Sequence, residues 1–388
     1  MKPLTNFTKA ELDGRIELLR REMLDAEVDA VILASAPNVG YFTDLNDQFP
    51  WAVTSRAAFI MISLGGTMSV FLPEVMQTLW REDKPDATIV SWPSPRPGDE
   101  GITELAAAIN RLPSRFGKIG FEIGPESRLQ MTISDWTRLI SMTPSFQRVD
   151  CSSICMNVRM CKSEAEVARI IAAGEIFGNA LQALKVGHVE GVSERALAGK
   201  VLSKAMDLGA DNENFLAFGS GPGGYHSVVA SPGIRELKTG DLFTIDAGIR
   251  YSSYYCDFNR NFAVGKATDH ILRAYDALIE AVEAGVNACR PGNTARDVYA
   301  AQANALFARG FEGGKLGRFG HGLGRQITEP PSNAATDQTI LREGMILAIE
   351  PAVMLPGGAL MVHEENALVS ADGPRYLSPL APADLPIL

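Results

Sequence analysis

The sequence predicts an α/β domain followed by a second domain that mixes helices with strands, and three observations carry that expectation. Short apolar runs alternate with helical stretches up to about residue 155, a long amphipathic helix opens beside Ser163, and later strand-like runs cluster between further helices. Two of the later runs share a phrase. Gly240-Asp-Leu-Phe-Thr-Ile-Asp246 and Gly344-Met-Ile-Leu-Ala-Ile-Glu350 each read as a stretch that belongs inside a sheet, yet each ends on an acid six residues after its glycine.

Taken in order, residues 9 to 26 space Leu12, Ile16, Leu19, Met23 and Leu24 as a helical face, and Ala30-Val-Ile-Leu-Ala34 follows as a buried strand. Strands are expected at 57 to 63, 68 to 72 and 118 to 122, with helices near 74 to 82, 102 to 111 and 132 to 140. The domain boundary falls at about 158, giving domains 1–158 and 159–388. Ser163 serves as N-cap to a helix reaching Leu184, through Ile170, Ile171, Ile176 and Leu181. Further helices are expected near 191 to 207, 268 to 290 and 294 to 309, the last opened by Thr294. Strands fall at 213 to 218, 227 to 230, 241 to 249, 254 to 264, 345 to 354 and 359 to 370. The phrases at 240 and 344 suggest a weak duplication that sets two equivalent strands side by side, each delivering one acid to a common centre.

Composition narrows the class. With 388 residues, 46% hydrophobic and 21% charged, the chain has the make-up of a globular protein of about two domains. Its net charge of −10 is spread without blocks, which argues against nucleic-acid and anionic-membrane partners. The polar N-terminus and the lack of any run near the roughly 18 apolar residues of a spanning helix make the cytoplasm the expected setting. Five cysteines, at 151, 155, 161, 256 and 289, form neither zinc-type pairs nor an even disulfide set and read as reduced and structural.

The chemistry lies in acids and histidines. Asp246 and Asp257 flank Tyr251-Ser-Ser-Tyr-Tyr, a turn-forming stretch, so the two carboxylates can meet across a hairpin. Each aspartate alone could equally begin a turn. Phe319-Gly-His321-Gly-Leu-Gly324 sets an imidazole among glycines, where the backbone can approach other groups closely. In Met361-Val-His-Glu-Glu-Asn366, alternation puts Glu364 with Asn366 on one face and His363 with Glu365 on the other. Asp246, Asp257, His321, Glu350 and Glu364 together suit two hard or borderline divalent ions, since clustered carboxylates stay ionised at neutral pH only beside a cation. Such ions activate water and polarise a carbonyl, the equipment of a hydrolase.

In their order and spacing these residues resemble the pita-bread metallopeptidases, the family of prolidase, aminopeptidase P and methionine aminopeptidase. The resemblance covers nearly the whole chain. It implies a creatinase/prolidase-type α/β N-terminal domain followed by an α+β pita-bread (creatinase/aminopeptidase) catalytic domain. It also implies metal ligation by Asp246, Asp257, His321, Glu350 and Glu364, with manganese the first choice and cobalt, zinc or iron as alternatives. His226, in Phe218-Gly-Ser-Gly-Pro-Gly-Gly-Tyr-His226, is similar to the family's catalytic, substrate-contacting histidine, and Glu350 would shuttle the proton. A homodimer is implied too.

Two positions depart from the pattern. Thr328 stands where the peptidases place a second, substrate-binding histidine, and Val362 where an arginine often precedes the last glutamate. The first reading is therefore an Xaa-Pro dipeptidase or aminopeptidase P type enzyme that cleaves a peptide or peptide-like amide through water activated by two metal ions. The alternative is a creatinase-like or ectoine-hydrolase-like enzyme opening a small non-peptide C–N bond. A non-catalytic binding protein on the same fold is a third reading, disfavoured by the energetic cost of clustering buried carboxylates without a metal. The resemblance also implies Glu364 rather than Glu365 as the last ligand, because it leaves six residues to Ser370, where the family usually has threonine or valine before a turn; His188, His270 and His363 are read as surface or packing residues.

Overall fold

The structure, a computed structural model, describes residues 6–45, 58–83, 87–185, 188–212, 214–313 and 317–388. The first positions of two expected strands, 57 and 213, lie outside these residues. The described residues divide into two compact units, one ending at Arg159 and one running from Met160 to Leu388.

The first unit is built on a mixed sheet of β1 (Ala30–Leu33), β2 (Phe59–Ser63), β3 (Met68–Pro73), β4 (Thr88–Trp92), β5 (Lys118–Phe121) and β6 (Gln147–Asp150), in the order β4-β3-β2-β1-β5-β6. β1 is apolar throughout because both its faces are covered. Val31 and Leu33 pack with Leu19 and Met23 of the helix Lys9–Asp25. Ala30 and Ile32 pack on the other side with Ile102, Leu105, Ala106 and Ile109, whose helical spacing puts one face of the helix Ile102–Ile109 on the sheet. β4 and β6 escape a reading from apolar runs because all their residues except buried Trp92 are only partly buried or exposed.

The second unit opens with the helix Glu164–Ala180, where Ser163 and Glu166 form a reciprocal capping box. Its strands are β7 (Phe215–Pro222), β8 (Asp241–Gly248), β9 (Arg250–Tyr251), β10 (Tyr254–Tyr255), β11 (Phe258–Ala263), β12 (Gly320–Gly322), β13 (Glu329–Ser332), β14 (Ile346–Ile349), β15 (Ala352–Met354), β16 (Leu360–Val362), β17 (Glu365–Leu368) and β18 (Arg375–Tyr376). One sheet runs β11-β8-β7 and another β13-β12-β14-β17-β18. β8 and β14 therefore do not lie side by side as the paired phrases suggest; each is an interior strand of its own sheet. The expected strand at 227 to 230 is not formed either. Pro222, Gly223 at φ 75° and Gly224 at φ 141° turn the chain there, and buried Tyr225 pairs with Leu360 instead. The long runs at 345 to 354 and 359 to 370 are each broken in two, at Glu350-Pro351 and at His363-Glu364.

Alternation along these strands answers why apolar runs end on acids. Phe243, Ile245 and Ala247 of β8 pack outward with Ile176, Phe177 and Leu197 of the helices behind, so Thr244 and Asp246 face the other way. Leu347 and Ile349 of β14 pack with Val282, Val286 and Val298, which turns Ala348 and then Glu350 to the opposite side. Each sheet keeps its oily face on the helices and turns its terminal acid inward.

Gly320 is fixed by this packing. It sits at φ 117°, and a Cβ there would lie 2.0 Å from the Ala348 carbonyl oxygen on neighbouring β14. Gly320→Ala is expected to lower unfolding stability by about 2 kcal/mol or more. Gly199→Ala, on an open face of the helix Glu194–Asp207 with nothing within 4 Å of the new Cβ, should raise it by about 0.5–1 kcal/mol. Urea denaturation of both variants checks the contrast.

Candidate metal centre

Antiparallel pairing of β8 with β11 sets Asp246 opposite Asn259, so Asp257, two residues before Asn259, lies diagonally across from Asp246 on the same face. Asp257 is held by Asn366 of β17. Its N–H donates to Asn366 Oδ1 at 3.0 Å, and Asn366 Nδ2 donates to its carbonyl. Asn259 accepts the Glu364 N–H at 3.1 Å and donates to the Val362 carbonyl at 3.0 Å, which ties the end of β16 to β11. β12 lies between β13 and β14 and carries His321 opposite Ala348.

The result is two groups of ligand-type side chains with one member in common. The ligand atoms of Asp257, His321 and Glu364 lie within 4.8 Å of one another, and so do those of Asp246, Glu350 and Glu364. All five line a cavity of about 390 Å³ together with Arg318, Thr328, Ile327, Phe215, Val228 and Val229. Asp246, Asp257, His321 and Glu364 are buried, whereas Glu350 keeps some solvent access.

Electrostatics mark the cluster as incomplete without cations. Burial, reinforced by Glu350, pushes the Asp246 carboxyl well above the usual carboxylate range. Burial with Asp246 and Glu350 does the same to Asp257, and burial with Asp257, Glu350 and Asp246 does so to Glu364. Glu350 is pushed up to about 7 by burial, with Arg318 pulling the other way. Asp246 Oδ1 and Glu364 Oε1 are buried and without a hydrogen-bond partner. Burial also lowers His321 to about 4, leaving a neutral imidazole. Its Nδ1 lies 3.0 Å from the Gly322 carbonyl, and its Nε2 lies 3.7 Å from Asp257 Oδ2, so Nε2 is the nitrogen turned to the acids. Four carboxylates, one neutral imidazole and orphaned acceptor oxygens fit divalent metal ions.

The remaining expected residues divide. Thr328 lines the cavity. His226 does not: it is exposed, with Nδ1 3.3 Å from the Gly358 carbonyl, although Val228 and Val229 just beyond it are on the wall. Its neighbour Tyr225 is fully buried, with its hydroxyl accepting from Val362 N at 2.7 Å and donating to Asn261 Oδ1 at 3.1 Å. Glu365 is separated from Glu364 by strand alternation and meets Arg260 at 3.0 Å. Burial opposes its ionisation, but Arg260, His363 and Ser378 hold its pKa below the usual range. His363 is buried with its ring 5.8 Å from that of Tyr275, His270 packs 5.7 Å from Phe311, and His188 is exposed. All five cysteines are free. Val362 is buried, its side chain in the strand core.

Three contributors escaped the sequence reading. Arg318 stands alone before the glycine-rich histidine, with no periodic pattern to single it out, and Asn259 and Asn366 matter only through pairings between distant strands. Lys162 and Glu329 form a buried ion pair at 3.0 Å, and Glu329 also accepts the Gln326 N–H at 3.1 Å, which fixes the turn bearing Ile327 and Thr328.

Without metal, a carboxyl whose folded pKa lies above its unfolded value favours folding at low pH and loses that contribution as pH rises through the folded pKa. For Glu350 the loss is centred near 7. Metal-free protein is therefore expected to fall in melting temperature by several degrees as pH rises from about 6.5 to about 8, and manganese should abolish the fall. Scanning calorimetry with and without the ion checks both signs.

Comparison with known proteins now bears on the site. The family model described as metallopeptidase family M24 matches residues 168–371, more than half of the chain, and that of the creatinase/prolidase N-terminal domain matches residues 15–161. A relative named Xaa-Pro dipeptidase, from Pyrococcus horikoshii, is 27% identical over 90% of this chain and 93% of its own. A second of that name, from Pyrococcus furiosus, is 26% identical over 94% of this chain and 97% of its own. The solved Xaa-Pro dipeptidase from Bacillus anthracis superimposes with a TM-score of 0.83, at 23% identity, over 97% of this chain and all of that one. No helix among the described residues is long and apolar enough to cross a membrane. A match that spans β8, β11, β12, β14 and β17, the strands around the acid cluster, makes the conclusion plain: the chain belongs to metallopeptidase family M24, with a creatinase/prolidase-type N-terminal domain ahead of a pita-bread catalytic domain.

Proposed function

We propose that the protein is a dinuclear metal-dependent hydrolase of the Xaa-Pro dipeptidase or aminopeptidase P type, cleaving a peptide or peptide-like amide next to a free N-terminus. The observation that carries this reading is the sharing of Glu364 between two ligand groups, Asp257-His321-Glu364 and Asp246-Glu350-Glu364, a set that would hold a pair of divalent ions. The names borne by the relatives support the substrate class. The oxygen-rich ligand set with a single imidazole suits manganese, with cobalt, zinc or iron as alternatives.

Bound divalent ions would supply Lewis acidity, making water nucleophilic near neutral pH and polarising the scissile carbonyl. The chain's own groups place and complete the reaction. Asp246, Asp257, His321, Glu350 and Glu364 would hold the ions, and Asn259 and Asn366 fix the strands that present them. Glu350 is the most exposed of the five, which makes it the carboxylate best placed to exchange a proton with the leaving nitrogen. Thr328 offers a hydroxyl on the wall, and His226 contacts substrate from the rim of a loop anchored by Tyr225. The same reading includes a homodimer in the cytoplasm, and light scattering tests the dimer.

A second reading, a creatinase-like or ectoine-hydrolase-like enzyme acting on a small C–N bond, draws on Thr328 and Val362, which replace polar groups of the peptidases. Assay of the manganese-loaded protein on Xaa-Pro dipeptides, longer Xaa-Pro peptides and small cyclic or guanidino amides separates the readings. Dipeptide turnover abolished by chelator is the expected result; turnover confined to non-peptide amides in excess chelator would replace the first reading by the second.

Glu350→Gln is expected to lower kcat by about 10²–10⁴-fold while the protein still binds metal. Full turnover in that variant would remove the proton-relay role. His226→Ala should lower kcat/KM by at least about tenfold with metal content unchanged; an unchanged value would put His226 outside the machinery.

A further inference from the structure

The connection from β12 to β13 carries two wall residues of the cavity, Ile327 and Thr328, and leaves β12 directly after Gly322, the neighbour of His321. Three contacts hold it in place. At its start the Gly324 carbonyl accepts the Tyr255 N–H at 2.8 Å. In its middle Ile327 lies over Gly248, the last residue of β8, where an added Cβ would come within 2.3 Å of Ile327 Cδ1. At its end Glu329 opens β13, with Oε2 3.0 Å from Lys162 Nζ and Oε1 accepting the Gln326 N–H at 3.1 Å. Lys162 is tied down as well: its Nζ donates to the Met160 carbonyl at 3.2 Å, and its backbone N–H to that of Gly344 at 2.8 Å.

The Lys162 and Glu329 side chains are only 2% and 1% exposed, and an ion pair so deeply buried is a poor source of stability. Taking both charges out of water costs about what their attraction returns, so an apolar pair of similar size serves a core equally well. What an apolar pair lacks is direction. A carboxylate held by Lys162 at one oxygen presents the other to the Gln326 N–H, and that second bond sets the path of the backbone just ahead of Ile327 and Thr328. Resting on the peptidase reading above, we propose that Lys162 and Glu329 are positioning residues: their ion pair fixes the turn that presents Ile327 and Thr328 to the substrate, and it serves turnover without adding to stability.

The test compares manganese-loaded wild type with two double variants. Lys162→Met with Glu329→Gln removes both charges and keeps an oxygen for the Gln326 N–H, whereas Lys162→Met with Glu329→Leu removes the charges and the oxygen together. Both should carry as much metal as wild type and melt within a few degrees of it or above it. On an Xaa-Pro dipeptide the variant with Glu329→Leu should lose about ten- to a hundred-fold in kcat/KM, while the one with Glu329→Gln stays within about fivefold of wild type. Activity that merely followed melting temperature would mark the pair as structural. Hydrogen exchange gives a readout independent of turnover: the Gln326 amide should be protected in wild type and with Glu329→Gln, and should exchange at least about tenfold faster with Glu329→Leu. The proposal is overturned if the variant with Glu329→Leu fails to fold or melts well below wild type, if it folds and keeps wild-type turnover, or if Glu329→Gln impairs turnover equally. Absence of dipeptide turnover in wild type would sink the peptidase reading, and the exchange comparison would still decide whether the ion pair fixes the turn.

Discussion

Mutual repulsion among Asp246, Asp257, Glu350 and Glu364 is the constraint on which the second unit depends. Burial makes ionisation unfavourable for each of them, and for Asp246, Asp257 and Glu364 neighbouring acids compound it. Like charges brought together this way destabilise a fold unless cations join them. The fold nevertheless holds them in place through neutral groups. Asn366 grips the backbone of Asp257, Asn259 grips that of Glu364, and His321 presents Nε2 because Gly322 occupies Nδ1. The scaffold is assembled by hydrogen bonds that leave the carboxylate oxygens unused.

Strand alternation does the rest. Two sheets put their apolar residues on helices and their polar residues on the cavity, so a single property, the period of two, delivers acids from β8 and β14 to one place. The ends matter as much as the runs. Asp257 and Glu350 sit just outside strands, and Glu364 occupies the break between β16 and β17, where the backbone is free to aim the side chain inward.

Much of this was legible because the residues involved obey local rules. Ser163 and Thr294 open helices as their sequence context requires, and the phrase ending at Asp246 reads as a buried strand because it is one. The five ligand-type residues singled out by spacing are the ones gathered around the cavity, and Glu364 is parted from Glu365 by simple alternation. What escaped depends on long-range partners. Residues 227 to 230 look like a strand locally, but two glycines with positive φ and the anchoring of Tyr225 turn them into a loop. The similarity of the phrases at 240 and 344 does not reveal that the two strands belong to different sheets. His226 sits outside the cavity lining because its neighbour Tyr225, not the histidine, is the buried anchor of that loop. Arg318 has no signature in a single sequence, since only the folded site shows that it is the one cation among the described lining residues.

The central claim is that five side chains of the second unit close around a pair of dications with Glu364 common to both. Calorimetric titration of metal-free protein with manganese tests it most directly, read beside the same titration of Glu364→Ala. The account predicts two ions bound per wild-type chain and a marked weakening of both in the variant. A single ion, or two ions of which the variant disturbs only one, would contradict it.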